Sequence, residues 1–184
     1  MEIHDLYTFD RQKTGETMVR GTRQPEQRWR LVVHICFFNE SGKMLIQHRQ
    51  PFKKGWSNLW DLSVGGSAVF GESSQQAAAR ETKEEIGLTL DFEQASPALT
   101  VNTGRVFDDF YIQHLPSDLS SLHLQTSELA EVRWATQEEI HQMIRENLFV
   151  AYPDCFLDLL FFLADHRDLE THPDFTHPDP EPNV

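Results

Sequence analysis

Gly66–Leu88 reads GSAVFGESSQQAAARETKEEIGL, and the fold is read outward from it. Its second half has the marks of a helix. Ser73 is an N-cap and Gln76, three residues on, completes a capping box. Gln75–Ala79 is a run of strong helix formers, and Gly87 stands where a left-handed C-terminal cap is wanted. On that helix Glu81, Glu84 and Glu85 fall at i, i+3 and i+4 and share a face, with Arg80 in reach of Glu84. Glu72 adds a carboxylate just before the helix. Like charges repel at this spacing, so a Glu-rich face is either plain solvated surface or a set of hard oxygen ligands suited to Mg2+ or Mn2+.

The stretch resembles the Nudix box, G-x5-E-x7-R-E-U-x-E-E-x-G-U, where U is bulky and aliphatic. Gly66, Glu72, Arg80, Glu81, Glu84, Glu85, Gly87 and Leu88 are in register. Thr82 departs from it at the first U, bringing a hydroxyl that needs a partner if buried. The resemblance implies an α/β/α sandwich around a mixed sheet, and hydrolysis of a diphosphate linked to another moiety. It assigns metal binding to Glu81, Glu84 and Glu85, and places the Gly65 carbonyl near the metal. Arg80 and Glu72 become a brace, with Gly66 and Gly87 as structural positions. The general base then comes from within the box or from Glu128 or Glu131 outside it.

Mg2+ or Mn2+ is the expected cofactor and a small-molecule diphosphate the expected partner. A net charge of -13 makes nucleic acid and anionic membrane poor partners. The same field opposes a diphosphate at long range, so a metal and local cations must overcome it. Cys36 and Cys155 give no disulfide framework, consistent with a reducing cytoplasm. Cys36 reads as a buried small hydrophobe. The N-terminus lacks the basic and apolar regions of a signal peptide. The longest apolar stretch, Phe156–Ala164, is interrupted by Asp158 and too short to span a bilayer.

In chain order, residues 1–28 read as a hairpin extension, with strands near Glu2–Phe9 and Glu16–Val19, and as a candidate surface for a homodimer. Residues 29–165 form the expected catalytic domain. Leu31–Phe38 is a continuous apolar run expected as a central strand, turning at Asn39–Gly42 into Met44–Arg49. His34 and His48 on these strands read as sheet-face residues. Trp60–Val64, Val106–Leu115 and Leu129–Trp134 are expected strands, and Phe92–Arg105 an irregular one. Thr136 with Glu139 caps a helix to about Arg145. Asp154 is expected to cap a last helix whose Phe156, Leu159, Leu160 and Leu163 face the core. Residues 166–184, acidic and rich in Pro and His, read as a disordered tail.

Met44–Trp60, MLIQHRQPFKKGWSNLW, is similar to the matching segment of type I isopentenyl-diphosphate isomerases, whose diphosphate-binding Arg and Lys correspond to Arg49 and Lys53. The isomerase chemistry is missing. Gly65 stands where those enzymes carry a catalytic Cys, and Ser67 and Arg30 stand where they carry metal-binding His. Hydrolysis of a nucleoside-diphosphate-linked or similar substrate is therefore the expectation. An isomerase-like enzyme and a non-catalytic ligand-sensing module are the alternatives. Metal-dependent turnover separates hydrolase from sensor.

Overall fold

The computed structural model describes residues 2–166; the expectation for the tail concerns residues lying, His166 apart, outside them. Strands β1 (Ile3–Tyr7) and β2 (Lys13–Val19) form an antiparallel hairpin. The main sheet follows, with β3 (Arg30–Phe38), β4 (Met44–Arg49), β5 (Trp60–Asp61) and β6 (Val64–Ser67). Helix α1 (Ser74–Ile86) precedes β7 (Leu99–Asn102), β8 (Val106–His114) and β9 (Leu129–Ala135). Helices α2 (Gln137–Arg145) and α3 (Asp154–Asp165) close the domain.

β3 is central because both its faces are apolar, the pattern of a strand covered on two sides. Leu31, Val33, Ile35 and Phe37 pack with Ala77, Ala78 and Ile86 of α1. Cys36 and Phe38 join Ile140 of α2 and Leu157 and Leu160 of α3. The result is the expected α/β/α sandwich with a mixed sheet: β8 runs parallel to β3 along its whole length, while β6 and β4 are antiparallel to it. Cys36 is fully buried, and burial pushes its thiol pKa far up.

The sheet parts beside β3. Its register with β4 is confined to Phe38↔Met44; beyond that β3 takes β6, and β4 takes β5 and β9. The Ser63 hydroxyl bridges the parting, accepting from the Phe37 N–H at 2.9 Å and donating to the Leu45 carbonyl at 2.5 Å.

Several local expectations are corrected. Trp60–Val64 is not one strand but the ends of two, broken at Leu62–Ser63. Of Phe92–Arg105, only Leu99–Asn102 is extended in the sheet. The N-cap of α3 is Pro153, with Asp154 already helical. The buried stripe of α3 is Leu157, Leu160, Phe161 and Ala164, one residue round from the expected one, and Leu159 is exposed. Nearly every residue of this helix is apolar, so spacing alone admits two adjacent stripes.

The hairpin is fastened to the domain at the loop that leads into α1. His4 Nδ1 lies 2.9 Å from the Ala68 carbonyl, and Phe70 N–H donates to the Ile3 carbonyl at 2.7 Å. Asp5 accepts from the Gly71 N–H at 2.9 Å and from Lys13 at 2.7 Å. At its far end Arg11 forks onto the wholly buried Asp109, which also accepts from Ser74 at 2.5 Å and Thr100 at 2.7 Å. Removing one partner of a buried ion pair leaves a charge in a poor medium. Because Arg11 is partly exposed and two hydroxyls remain, Arg11→Ala is expected to cost about 2 kcal/mol, somewhat below the range for fully buried pairs. That lowers Tm by roughly 4–8 °C in a thermal melt.

Candidate active site

Helix α1 begins and ends as its sequence dictates. Ser73 and Gln76 form both bonds of the capping box, and Gly87 adopts φ 77°. A Cβ at Gly87 would also meet Cβ of His123 at 2.7 Å, so that position needs glycine for space as well as for conformation. Thr82 is fully buried and its hydroxyl has no partner among the described residues. Valine is close to Thr in shape and has no orphaned oxygen, so Thr82→Val is expected to stabilise by about 1–2 kcal/mol, read as a higher Tm.

Arg80, expected from the resemblance as a brace, is engaged on all sides. Its Nε and Nη2 fork onto Glu72 at 2.7 and 3.0 Å, and Nη2 also donates to the Ser67 carbonyl at 3.1 Å. Nη1 reaches Glu81 at 2.8 Å and Glu84 at 3.1 Å. A planar guanidinium with every N–H engaged holds the loop, the helix start and the carboxylate face in one arrangement. Gly66 permits that arrangement: a Cβ there would fall 2.0 Å from Glu81 Oε1.

Glu85 is buried, and its carboxylate accepts from the Gly65 N–H at 3.3 Å. Burial, then the charge of Glu81, pushes its carboxyl pKa well above the usual range. Burial raises Glu81 as well, against the pull of Arg80. A buried and a partly buried carboxylate repelling each other beside a glycine pair are a donor set that a hard divalent cation would relieve. Glu84 is half exposed and its carboxylate is turned to Arg80. Among the described residues, no three His, Cys, Asp or Glu side chains are gathered into a ready-made metal cluster.

These groups line a cleft of about 380 Å³ that opens where β3 and β4 part. Arg49 also lines it, with Nε donating to the Gly55 carbonyl at 3.2 Å and Nη1 3.7 Å from Asp61. Lys53 is not on the lining; it is ion-paired to Glu128, which is. Glu131 is on β9, largely exposed, 3.7 Å from His48 and away from the cleft, so of the two outside carboxylates only Glu128 is placed at the site. His48 stacks on Trp60 and stays a sheet-face residue. His34 stacks on Phe110, with Nε2 3.2 Å from Asp108, yet it also lines the cleft.

The sequence reading missed Glu2, Arg20, Gln47, Asp61 and Tyr152, all of which line the cleft. Glu2 and Arg20 come from the hairpin and pair at 2.6 Å. Asp61 accepts from the Tyr152 hydroxyl at 2.9 Å; burial raises the pKa of both groups. Tyr152 lies just before α3 and Asp61 on a two-residue strand, so no local pattern joins them.

The NUDIX domain family model matches residues 28–155. An uncharacterised Nudix hydrolase of Listeria innocua, lin0387, is 43% identical over 165 residues, covering 90% of this chain and 96% of its own. An isopentenyl-diphosphate Delta-isomerase of Cutibacterium acnes is 26% identical over 162 residues, covering 81% of each chain. The crystal structure of DR0079 from Deinococcus radiodurans superposes with a TM-score of 0.67 at 26% identity, covering 86% of this chain and 97% of that one. Among the described residues no helix is long and apolar enough to cross a membrane.

Proposed function

The chain belongs to the Nudix hydrolase superfamily, and on that premise we propose that it uses Mg2+ or Mn2+ to hydrolyse the diphosphate bond of a nucleoside-diphosphate-linked or similar small molecule. One observation carries this reading: Glu81, braced by Arg80, and Glu85, on the Gly65 N–H, line one cleft with Gly65 and Gly66, and that cleft also presents Arg49. Glu81, Glu84, Glu85 and the Gly65 carbonyl would hold the cation, which supplies charge neutralisation at the phosphoryl oxygens and acidifies water. Arg80 and Glu72 keep the carboxylate face rigid. Arg49 binds phosphoryl oxygens through its fork. Glu128 accepts the proton as water oxygen bonds to phosphorus and the bridging P–O bond breaks. Two phosphate-bearing products leave.

Similarity to the isomerase supports shared ancestry of the scaffold. Gly65 has no side chain to move a proton across an allylic system, which favours hydrolysis. The test is a panel of nucleotide sugars, ADP-ribose, dinucleotides, coenzyme A and nucleoside triphosphates with Mg2+, with products identified by mass. Cleavage at a diphosphate in at least one member is expected; a panel left intact would sink the reading.

The two basic residues now separate. Arg49→Ala is expected to raise KM about tenfold with a smaller effect on kcat, as for loss of uniform binding. Lys53→Ala acts through Glu128 and is expected to lower kcat more than it raises KM. Steady-state kinetics on the best panel substrate reads both; an unchanged KM in the Arg49 variant returns that residue to an ordinary loop role.

A further inference from the structure

We propose that Gln47 and Asp61 form a subsite that hydrogen-bonds hydroxyl groups on the organic part of the diphosphate substrate. The proposal rests on the hydrolase reading and goes beyond it by naming what the far end of the cleft accepts.

Gln47 and Asp61 are direct cross-strand partners on β4 and β5, and Arg49 lies two residues from Gln47 on the same face. All three line the cleft. Gln47 is 1% exposed, and its side-chain oxygen has no hydrogen-bond partner among the described residues. Exchanging the amide's O and N would leave a donor orphaned instead. Asp61 is partly satisfied: Oδ1 accepts from the Tyr152 hydroxyl at 2.9 Å and the Leu62 N–H at 2.8 Å. Its Oδ2 faces Arg49 Nη1 at 3.7 Å, beyond hydrogen-bond length. The floor therefore holds unused hydrogen-bonding capacity on the covered Gln47 oxygen and on Asp61 Oδ2.

A buried polar atom without a partner is costly, so a floor of this kind is completed by its ligand. A prenyl chain would seal these groups off from water and give nothing back. A second anionic group would meet the carboxylates of Asp61 and Glu85. A hydroxyl both donates and accepts, so it satisfies Asp61 Oδ2 and either orientation of the Gln47 amide. The order along β4 fits one substrate laid in one direction, with phosphoryl oxygens at Arg49 and the hydroxyl-bearing part a step further at Gln47.

The experiment measures dissociation constants by titration calorimetry on the full chain, with Ca2+ replacing Mg2+ to slow turnover. The probes are UDP-glucose and ADP-ribose against isopentenyl diphosphate and inorganic pyrophosphate. Wild type is expected to bind the hydroxyl-bearing pair at least about tenfold more tightly, the effect of one or two buried hydrogen bonds. Gln47→Leu should cut that preference to below about threefold while pyrophosphate affinity stays put, and Asp61→Asn should cut it likewise while pyrophosphate binding holds or tightens, one negative charge beside Arg49 being removed. Gln47→Leu removes the orphaned amide, so its Tm should hold or rise, which separates lost recognition from lost folding. Equal affinity across the probes, no measurable binding of the hydroxyl-bearing pair, or a preference that survives both substitutions overturns the proposal. Metal-dependent turnover is read separately in the hydrolysis panel, so either reading can fail alone.

Discussion

Glu85→Gln is expected to remove most turnover and at the same time raise the melting temperature of the metal-free protein. The two effects have one source. Glu85 is buried, with Glu81 beside it, and its folded carboxyl pKa is raised well above the ordinary value. A carboxyl whose pKa is raised on folding binds protons more tightly folded than unfolded. Its penalty is absent in acid, opens as pH climbs past the ordinary carboxylate pKa of about 4.3, and levels off above the folded value. Glutamine keeps the shape and removes the charge. Thermal melts in excess chelator should coincide near pH 4 and diverge toward pH 8, with the variant the more stable. Turnover should fall on the order of 10²-fold or more, as for loss of an essential electrostatic group. A kcat within threefold of wild type, or a variant that melts lower at pH 8, would show that Glu85 is not held in this state for function.

Gly66→Ala is the second large effect, and it is steric. A methyl group at Gly66 would sit 2.0 Å from Glu81 Oε1 and 2.1 Å from its carboxyl carbon. Both contacts lie well inside van der Waals separation, so the Glu81 carboxylate must leave, and its bond to Arg80 goes with it. Displacing a group at a reacting centre by about 1 Å can cost on the order of 10²-fold in rate, and that is the loss expected here. Gly65→Ala is the comparison: its Cβ would meet His34 Nδ1 at 3.1 Å, which a slight ring shift absorbs. It should lose far less activity. Equal, mild effects in the two variants would mean that Glu81 is free to move without consequence.

What the sequence made legible was local. The capping box, the left-handed glycine and the i, i+3, i+4 carboxylates of α1 are written within one helix and its caps, and the structure has the caps and the shared face in place. The apolar run of β3 announced a central strand, and two separate cores cover it. The Arg80–Glu84 contact was legible for the same reason, by its i, i+4 spacing, while the link from Arg80 to Glu72 was expected from the family resemblance. The floor of the cleft was not. Gln47, Asp61 and Tyr152 come from three elements, and they meet only because β4 leaves β3 after a single paired position to take up β5. Arg20 and Glu2 were hidden in a hairpin that precedes the matched family residues, fastened by contacts that no spacing announces. Lys53 was expected as a diphosphate ligand from the isomerase resemblance, and its ion pair with Glu128, distant in sequence, was not legible.

The most direct test of the central claim is hydrolysis in water enriched in 18O, using the best substrate of the diphosphate panel, with Mg2+, with excess chelator, and with Mg2+ restored. The account predicts one 18O atom on the phosphate group of one product, no turnover in chelator and full recovery on adding Mg2+ back. Turnover undiminished in chelator, or label appearing only in the organic part of the product, would contradict it.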